Sequence, residues 1–180
     1  VKKVGLTFHG AGDPKIASEL LNIFKSTNTP VTVFAVGTFL QTNPEFAKQI
    51  LDGGHDLGNR TMTHTQMKTI SARAVDAEIS GCANLLKKLV GNHGSFFRPS
   101  GTQYSTALIR KTAQKYGYKN CISYDLDSHD YQDPGKAAVI SNVKNAKNGS
   151  IISLHFGHRN TVEAMPKIIE NLKSQGLTPV

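Results

Sequence analysis

The sequence predicts an α/β fold, because short runs of β-branched and apolar residues alternate with segments of helical periodicity. Its 180 residues suit one domain, which we expect to span residues 1–180. Six or seven strands, each followed by a helix, favour a distorted or incomplete (β/α) barrel of about seven parallel strands, since a full eight-stranded barrel usually needs about 200 residues or more. An open doubly wound sheet is the alternative.

The strands are predicted from runs rich in Val, Ile, Thr and Phe. Three runs are long and apolar enough to be buried strands, at residues 4–8, 31–36 and 150–154. Shorter strands are predicted over 55–59, 96–98 and 120–125, and a last strand begins at 178. Turn-forming residues separate these runs from the segments that follow, so each strand leads into a helix.

Helical periodicity is clearest over residues 71–89, where apolar residues recur at helical spacing. Gly53 and Gly54 end a predicted helix over 44–51. Pro134 opens a helix that runs to about 143, because proline suits the first helical position. The remaining predicted helices cover 16–24, 106–116 and 162–172.

Composition excludes several classes of protein. No apolar run approaches the roughly 20 residues that cross a bilayer, so we predict no membrane span. Lys and Arg exceed Asp and Glu by 21 to 13, and the net charge of +8 suits anionic surroundings such as cell-wall polymers. The basic residues are scattered and do not alternate with aromatic residues, so we predict no nucleic-acid site.

Cys82 and Cys121 fit neither a zinc nor a redox spacing and are predicted to be buried free thiols.

Histidine, aspartate and arginine residues follow five of the predicted strands. In parallel barrels the active site lies at the carboxyl ends of the strands. The segments that this topology would place there are 9–13, 59–64, 98–101, 125–131 and 155–158. Since these residue types serve metal ligation and proton transfer, we expect a functional site at this end of the sheet.

In their order and spacing these segments resemble the motifs of the polysaccharide deacetylases of the NodB-homology type, carbohydrate esterase family 4. The family's opening Thr-Phe-Asp-Asp-Gly-Pro is similar to Thr7-Phe8-His9-Gly10, and its Asn-His-(Ser/Thr)-x-x-His is similar to Asn59-Arg60-Thr61-Met62-Thr63-His64. Its Phe-Arg-Pro-Pro-Tyr-Gly resembles Phe97-Arg98-Pro99-Ser100-Gly101, and its Asp-x-Asp-Ser-x-Asp-Trp resembles Asp125-Leu126-Asp127-Ser128-His129-Asp130-Tyr131. Its Leu-x-His motif falls at Ser153-Leu154-His155. The resemblance extends over nearly the whole chain.

The resemblance implies a hydrolase that uses a divalent metal, zinc among the candidates, to remove acetyl groups from a polysaccharide. The implied substrates are N-acetylglucosamine polymers such as peptidoglycan or chitin-like chains, or acetylated xylan. The residues that the resemblance implies for protonating the leaving amine are present, with His155 as general acid and Asp130 as its partner. Arg98 is present as the implied orienting cation. Tyr131 takes the position of a tryptophan that lines the acetyl pocket, and Ser100 is a candidate substrate contact.

The implied metal half departs from the family pattern. His9 takes the position of the base, Gly10 that of the ligand aspartate, and Arg60 that of the first ligand histidine. Glycine has no ligand atom in its side chain, and an arginine cation repels a divalent ion. His64 keeps its position, so His9, Asp13 and His64 form an alternative zinc-binding hypothesis.

Each of these residues also has another interpretation. Asp13 precedes a proline and would serve equally as a helix N-cap. A neutral His9 would suit proton abstraction near pH 7. Arg60 would either form a salt bridge to Asp13 or Asp56, or replace the lost metal charge at a substrate contact.

Two functions therefore remain open: a polysaccharide deacetylase with an altered metal site, and a deacetylase-like protein that binds glycan without catalysis. The first residues lack a signal-peptide layout, so the chain is expected to be cytosolic or the trimmed part of an exported protein. The polysaccharide substrate favours an extracellular or cell-envelope location. We expect a monomer.

Overall fold

The computed structural model describes residues 1–180 and alternates strands with helices as the sequence predicts. The strands are β1 (Lys2–Gly10), β2 (Thr32–Ala35), β3 (Asp56–Asn59), β4 (Phe96–Phe97), β5 (Asn120–Cys121), β6 (Leu126–Asp127), β7 (Ile151–His155) and β8 (Leu177–Pro179). The α-helices are α1 (Pro14–Ser26), α2 (Gly37–Thr42), α3 (Glu45–Asp52), α4 (Ala72–Val90), α5 (Ala107–Lys115), α6 (Lys136–Asn142) and α7 (Arg159–Ser174). None of the helices combines the length and the apolar character that a membrane crossing requires.

The chain divides into two compact units. The first unit consists of residues 1–33, 53–55 and 124–180, and the second consists of residues 34–52 and 56–123. Strand β2 contributes its first two residues to the first unit and its last two to the second.

The first unit is built on β1, which pairs in parallel with β7 on one side and with β8 on the other. Strand β6 pairs in parallel with the far side of β7. Buried aromatic rings fill the space beneath β1, where the Phe8 ring lies 5.0 Å from Phe24 of α1 and 5.6 Å from Phe156. This packing fixes β1 and β7 against α1, and the ends of both strands carry the residues of the candidate site.

The second unit contains β3, β4 and β5, which pair in parallel in that order. Helices α4 and α5 cover a core in which Val75, Ile79, Phe97, Ile109 and Tyr118 are fully buried. These residues include two of the apolar positions that gave α4 its helical periodicity. The segments after β3 and β4 therefore begin at strands that pack on this core.

The structure differs from the sequence-based prediction in two elements. The predicted strand 120–125 is two short strands, because the chain pairs with β4 through β5 and then with β7 through β6. Helix α2 was not predicted, since its six residues follow the buried strand β2 without a side-chain cap. Both cysteines are free, Cys82 fully buried and Cys121 partly so, which agrees with the predicted free thiols.

Candidate active site

A buried carboxylate lies at the centre of the site residues of the first unit. Asp130 is fully buried in a short 3₁₀ helix after β6 and accepts hydrogen bonds from the backbone N–H of His155 at 2.7 Å and from Thr161 Oγ1 at 2.6 Å. Its Oδ1 lies 2.8 Å from Nδ1 of His155. Burial alone would raise the pKa of Asp130, but the hydrogen bonds and the charge of His155, with the Thr161 hydroxyl, outweigh it and lower the pKa below its ordinary value. Asp130 therefore stays ionised and holds His155 in one orientation.

The second ring nitrogen of His155 contacts another histidine. Nε2 of His155 lies 2.8 Å from Nδ1 of His9, and the two rings meet edge to face with centroids 4.4 Å apart. Since Asp130 accepts the proton on Nδ1 of His155, one proton bridges Nε2 of His155 and Nδ1 of His9. The sequence predicted functional roles for both histidines, and the structure joins them in a single Asp130–His155–His9 chain.

A second aspartate–histidine pair lies beside this chain. Nδ1 of His158 is 2.9 Å from Oδ1 of Asp133, and the His158 ring centroid is 6.0 Å from that of His155. The Tyr131 ring, at the position expected to line an acetyl pocket, lies 5.4 Å from the His155 ring and is exposed. The sequence predicted His158 only as a groove residue at the end of segment 155–158, and it gave Asp133 no role in the site. Their separation by 25 residues gave no local signal.

Glycines bring the β1 and β7 ends of the site together. Gly12 has φ of +91°, and a Cβ atom built on it would lie 2.6 Å from Cα of Gly157. The turn after His9 therefore packs directly on the turn before His158. Only glycine permits this close backbone approach.

Asp13, a predicted metal ligand, is the N-cap of α1 in this structure. Its carboxylate accepts a hydrogen bond from the backbone N–H of Lys15 at 2.9 Å, with Pro14 at the start of α1. This is the alternative that the Asp-Pro sequence offered, and it assigns the carboxylate to one of the unpaired N–H groups of the first helical turn.

Arg98, in the second unit, is a fully buried cation at the end of β4. Its Nε and Nη2 atoms donate to the carbonyl oxygens of Ile122 and Ser123, both at 2.9 Å. Its guanidinium group lies 4.4 Å from the centroid of the Phe34 ring. These contacts fix the guanidinium plane, and the orienting role of Arg98 stays a prediction.

The other predicted site residues of the second unit lie in the segments that follow β3 and β4. Arg60 is buried and donates from Nη1 to the carbonyl oxygen of Pro99 at 2.6 Å. The fully buried Ser100 hydroxyl lies 2.8 Å from Thr61 Oγ1 and donates to the carbonyl oxygen of Thr65 at 2.5 Å. Both side chains thus brace the polypeptide around them, and the substrate contacts expected of Arg60 and Ser100 stay predictions. His64 is exposed, with φ of +59°.

The residues present do not fit the divalent metal that the resemblance implies. The structure contains no group of three or more His, Cys, Asp or Glu side chains that could hold a metal ion. In the hypothetical His9, Asp13 and His64 set, the Asp13 carboxylate is engaged by the backbone N–H of Lys15 in α1. Glycine at position 10 and arginine at position 60 remove two ligands from the family pattern.

Comparison with known proteins identifies the family. The sequence model described as "Polysaccharide deacetylase" matches residues 1–121. The chain belongs to the polysaccharide deacetylase family. A peptidoglycan-N-acetylglucosamine deacetylase from Bacillus cereus is 33% identical over 180 aligned residues, which cover 97% of this chain and 84% of that protein. A bifunctional xylanase/xylan deacetylase from Cellvibrio japonicus is 29% identical over 98% of this chain and 26% of its own length. These relatives are hydrolases, in agreement with the predicted enzyme class.

Solved structures of this family share the fold. The family 4 carbohydrate esterase from Streptomyces lividans, in complex with acetate, superposes with a TM-score of 0.91, 28% identity and coverage of 99% of this chain and 91% of that one. The match confirms the predicted fold class, a distorted or incomplete (β/α) barrel of parallel strands. A mutant of BA3943, described as a family 4 pseudoenzyme with restored enzymatic activity, also gives a TM-score of 0.91, at 27% identity over 99% of this chain and 65% of that one. The family therefore includes both enzymes and a pseudoenzyme.

Proposed function

We propose that this chain removes acetyl groups from a polysaccharide of the N-acetylglucosamine type, such as peptidoglycan or a chitin-like chain, or from acetylated xylan. Residues 1–180 act as one catalytic domain, and the protein acts as a monomer at the cell surface or in the envelope. The observation that carries the proposal is the buried Asp130 carboxylate with its 2.8 Å contact to His155 Nδ1. A carboxylate–imidazole pair of this kind suits the protonation of a leaving group.

The proton needed by the leaving group comes from His155 in this proposal. Asp130 accepts from Nδ1, which directs the other nitrogen of His155 toward proton exchange and stabilises the imidazolium form. Nδ1 of His9, 2.8 Å from that nitrogen, shares this proton, and solvent replaces it after the leaving group has taken it. Tyr131 stands 5.4 Å from the His155 ring and forms an exposed wall for the acetyl methyl group.

The relatives and the charge of the chain support a cell-wall substrate. The Bacillus cereus relative is a peptidoglycan deacetylase, and the Cellvibrio japonicus relative includes a xylan deacetylase. The net charge of +8 favours retention on anionic wall polymers. No step of the proposal runs through a metal ion, since the donor set does not fit one.

A second candidate is a family member that binds glycan without hydrolysing it. The substitutions at two family ligand positions, Gly10 and Arg60, favour it. The fold and the exposed Tyr131 would persist in such a protein, as would its affinity for polysaccharide.

Acetate release tests the two candidates directly. Purified protein is incubated with N-acetylated chito-oligosaccharides, peptidoglycan and acetylated xylan, and acetate is measured enzymatically. We expect release from at least one substrate and a loss of about 100-fold or more in His155→Asn. His129→Asn is the matched control, because His129 is exposed and 3.7 Å from Asp127. Retained binding to insoluble peptidoglycan without acetate release from any substrate would overturn the enzyme proposal in favour of glycan binding.

A further inference from the structure

Exposed lysines gather at the amino ends of the central strands of the first unit. Lys2 and Lys3 open β1 and pair there with the first two residues of β8. The loop before β7 is joined to the same place, because the Lys3 N–H donates to Asn148 Oδ1 and the Lys3 carbonyl accepts from the Gly149 N–H, both at 2.8 Å. Three segments of the chain therefore meet at this end of the sheet.

The loop before β7 and the turn before β8 add three more lysines. Lys144 and Lys147 are exposed on the loop, and two hydrogen bonds with Ser150, at 2.9 and 3.0 Å, fix the Lys147 backbone. Lys173 is exposed at the end of α7 and donates from Nζ to the carbonyl oxygen of Thr27 at 2.7 Å. We call this set the basic face: Lys2, Lys3, Lys144, Lys147 and Lys173.

Few negative charges offset the basic face. Three other lysines of the chain form ion pairs with carboxylates, but none of these five does. Asp125, in the loop before β6, accepts a hydrogen bond from the Ile151 N–H at 2.5 Å. Glu170 of α7 is paired with Lys167 at 3.2 Å. The face therefore keeps an excess of positive charge.

A cleft adjoins the basic face at β8. It has a volume of about 350 Å³ and is lined by Lys173, Asn28, Pro30 and residues 176–179. Since β8 pairs with the lysine-bearing start of β1, the cleft continues the face beyond the sheet. Its lining includes an ammonium and an amide group, which suits a hydrophilic anionic ligand.

The basic face lies at the end of β1 opposite the candidate active site. Lys3 is six residues from His9 along this strand, and a strand rises about 3.3 Å per residue, so their Cα atoms are about 20 Å apart. A polymer bound at the basic face would therefore leave His9 and His155 free to act on a polysaccharide.

The residue types of the basic face favour a phosphate polymer. A lysine ammonium is a compact point charge that binds phosphate, whereas bidentate recognition of a carboxylate is typical of arginine, which the face lacks. The face also has no aromatic ring on which a nucleic-acid base could stack. Its chemistry thus fits a chain of phosphodiesters that carries no bases.

We propose that the basic face binds an anionic phosphodiester polymer of the cell wall and holds the protein there while the opposite strand ends act on polysaccharide. Contacts between lysines and phosphates release counterions from the polymer, so the binding weakens as salt rises. This binding is a function separate from acetate removal and requires no catalysis.

Fluorescence polarisation of labelled poly(glycerol phosphate) tests the proposal. We expect the affinity to fall at least about tenfold between about 50 and 200 mM NaCl, since each contacted lysine adds roughly −0.7 to the slope of log K against log salt. The double variant Lys144→Gln, Lys147→Gln should bind roughly tenfold more weakly and show a slope smaller by about one. Its matched control is Lys87→Gln, Lys88→Gln, which removes the same charge from two exposed residues at the end of α4 and should bind as wild type does.

The outcomes separate a specific face from net charge and from other partners. Equal losses in the two double variants would overturn the proposal, because net charge alone would then govern the binding. Absence of binding by the wild-type protein at the lower salt would also overturn it. Tighter binding of random duplex DNA, or of vesicles that contain phosphatidylglycerol, would assign the face to that partner instead.

Acetate release by the same variants keeps this proposal distinct from the proposed deacetylation. Release from soluble N-acetylated chito-oligosaccharides should be unchanged in Lys144→Gln, Lys147→Gln, because these lysines lie at the amino ends of the strands. A loss of release in that variant alone would contradict the separation of the two sites. Absence of release from the wild-type protein would overturn the deacetylase proposal, whereas the binding of poly(glycerol phosphate) would still decide the role of the basic face.

Discussion

His9 and His155 are register partners on the parallel strands β1 and β7, and their Nδ1 and Nε2 atoms are 2.8 Å apart. The pairing places both residues at the carboxyl ends of their strands. Since Asp130 holds the opposite nitrogen of His155, the three side chains form a continuous hydrogen-bonded chain with its carboxylate buried. His9, which replaces the family's base, thus gives the general acid His155 a partner that shares its proton.

We predict that acetate release depends on this contact. His9→Asn places an amide close to the position of Nδ1 and can still hydrogen bond to His155, whereas His9→Leu cannot. A buried hydrogen bond of this kind contributes about 1–3 kcal/mol, so His9→Leu should lose roughly tenfold or more in kcat. Activity should decrease from wild type to His9→Asn to His9→Leu, as measured by acetate release. Equal losses in the two variants would show that the His9 ring acts by filling space.

We predict that Asp130 makes stability depend on pH in the acid range. Its pKa in the folded protein lies below the ordinary value of 3.8, so its stabilising effect is complete above that value and is lost as pH falls through the folded pKa. Asp130→Asn should therefore be less stable than wild type at pH 7, and the difference should shrink toward pH 2. Urea denaturation across pH measures it. Asp56→Asn, at an exposed carboxylate, is the control and should show no such trend.

The fold could be predicted from the sequence where apolar patterns were long. Strand β1 and helix α4 were recognised because their buried residues repeat at strand and helix spacing. Helix α2 and the break between β5 and β6 were missed, since six residues without a cap and two-residue strands carry too little periodicity. Backbone pairing with β4 and then with β7 determines the break.

The order of the motifs along the sequence predicted part of the candidate site. His155 and Asp130 were assigned to one pair, and the structure places them in contact. The sequence allowed Asp13 to be a ligand or a cap, and the fold assigns its carboxylate to the N–H of Lys15. His158 and Asp133 meet because the 3₁₀ turn at 130–132 and the start of α7 converge, which no local pattern of residues encodes.

We predict that the wild-type protein binds no stoichiometric zinc, because the family ligand positions 10 and 60 carry glycine and arginine. The double variant Gly10→Asp, Arg60→His restores the family residues and should bind zinc near one ion per chain. Elemental analysis and calorimetric titration measure both proteins. His64→Ala, introduced into the double variant, should remove the binding. Stoichiometric zinc in the wild type that disappears in His64→Ala would instead re-establish the His9, Asp13 and His64 hypothesis.

We predict that Arg98 cannot be replaced by lysine without a loss of stability. Two atoms of its guanidinium group donate to the carbonyl oxygens of Ile122 and Ser123, and the group lies over Phe34. A lysine has a single ammonium on a flexible stem and cannot reproduce this planar arrangement, so at least one of these partly buried carbonyls loses its donor. Arg98→Lys should lower the free energy of unfolding by about 1–3 kcal/mol in urea denaturation.

A surface arginine provides the matched control for this prediction. Arg110 donates to one backbone carbonyl, that of Ser105, at 2.7 Å. The Arg110 side chain is exposed, so water can replace this bond in Arg110→Lys. We expect that variant to stay within about 0.5 kcal/mol of wild type. Similar values for the two substitutions would mean that the carbonyl groups of Ile122 and Ser123 find other donors. In that case the fixed orientation of the Arg98 guanidinium would not depend on Ile122 and Ser123.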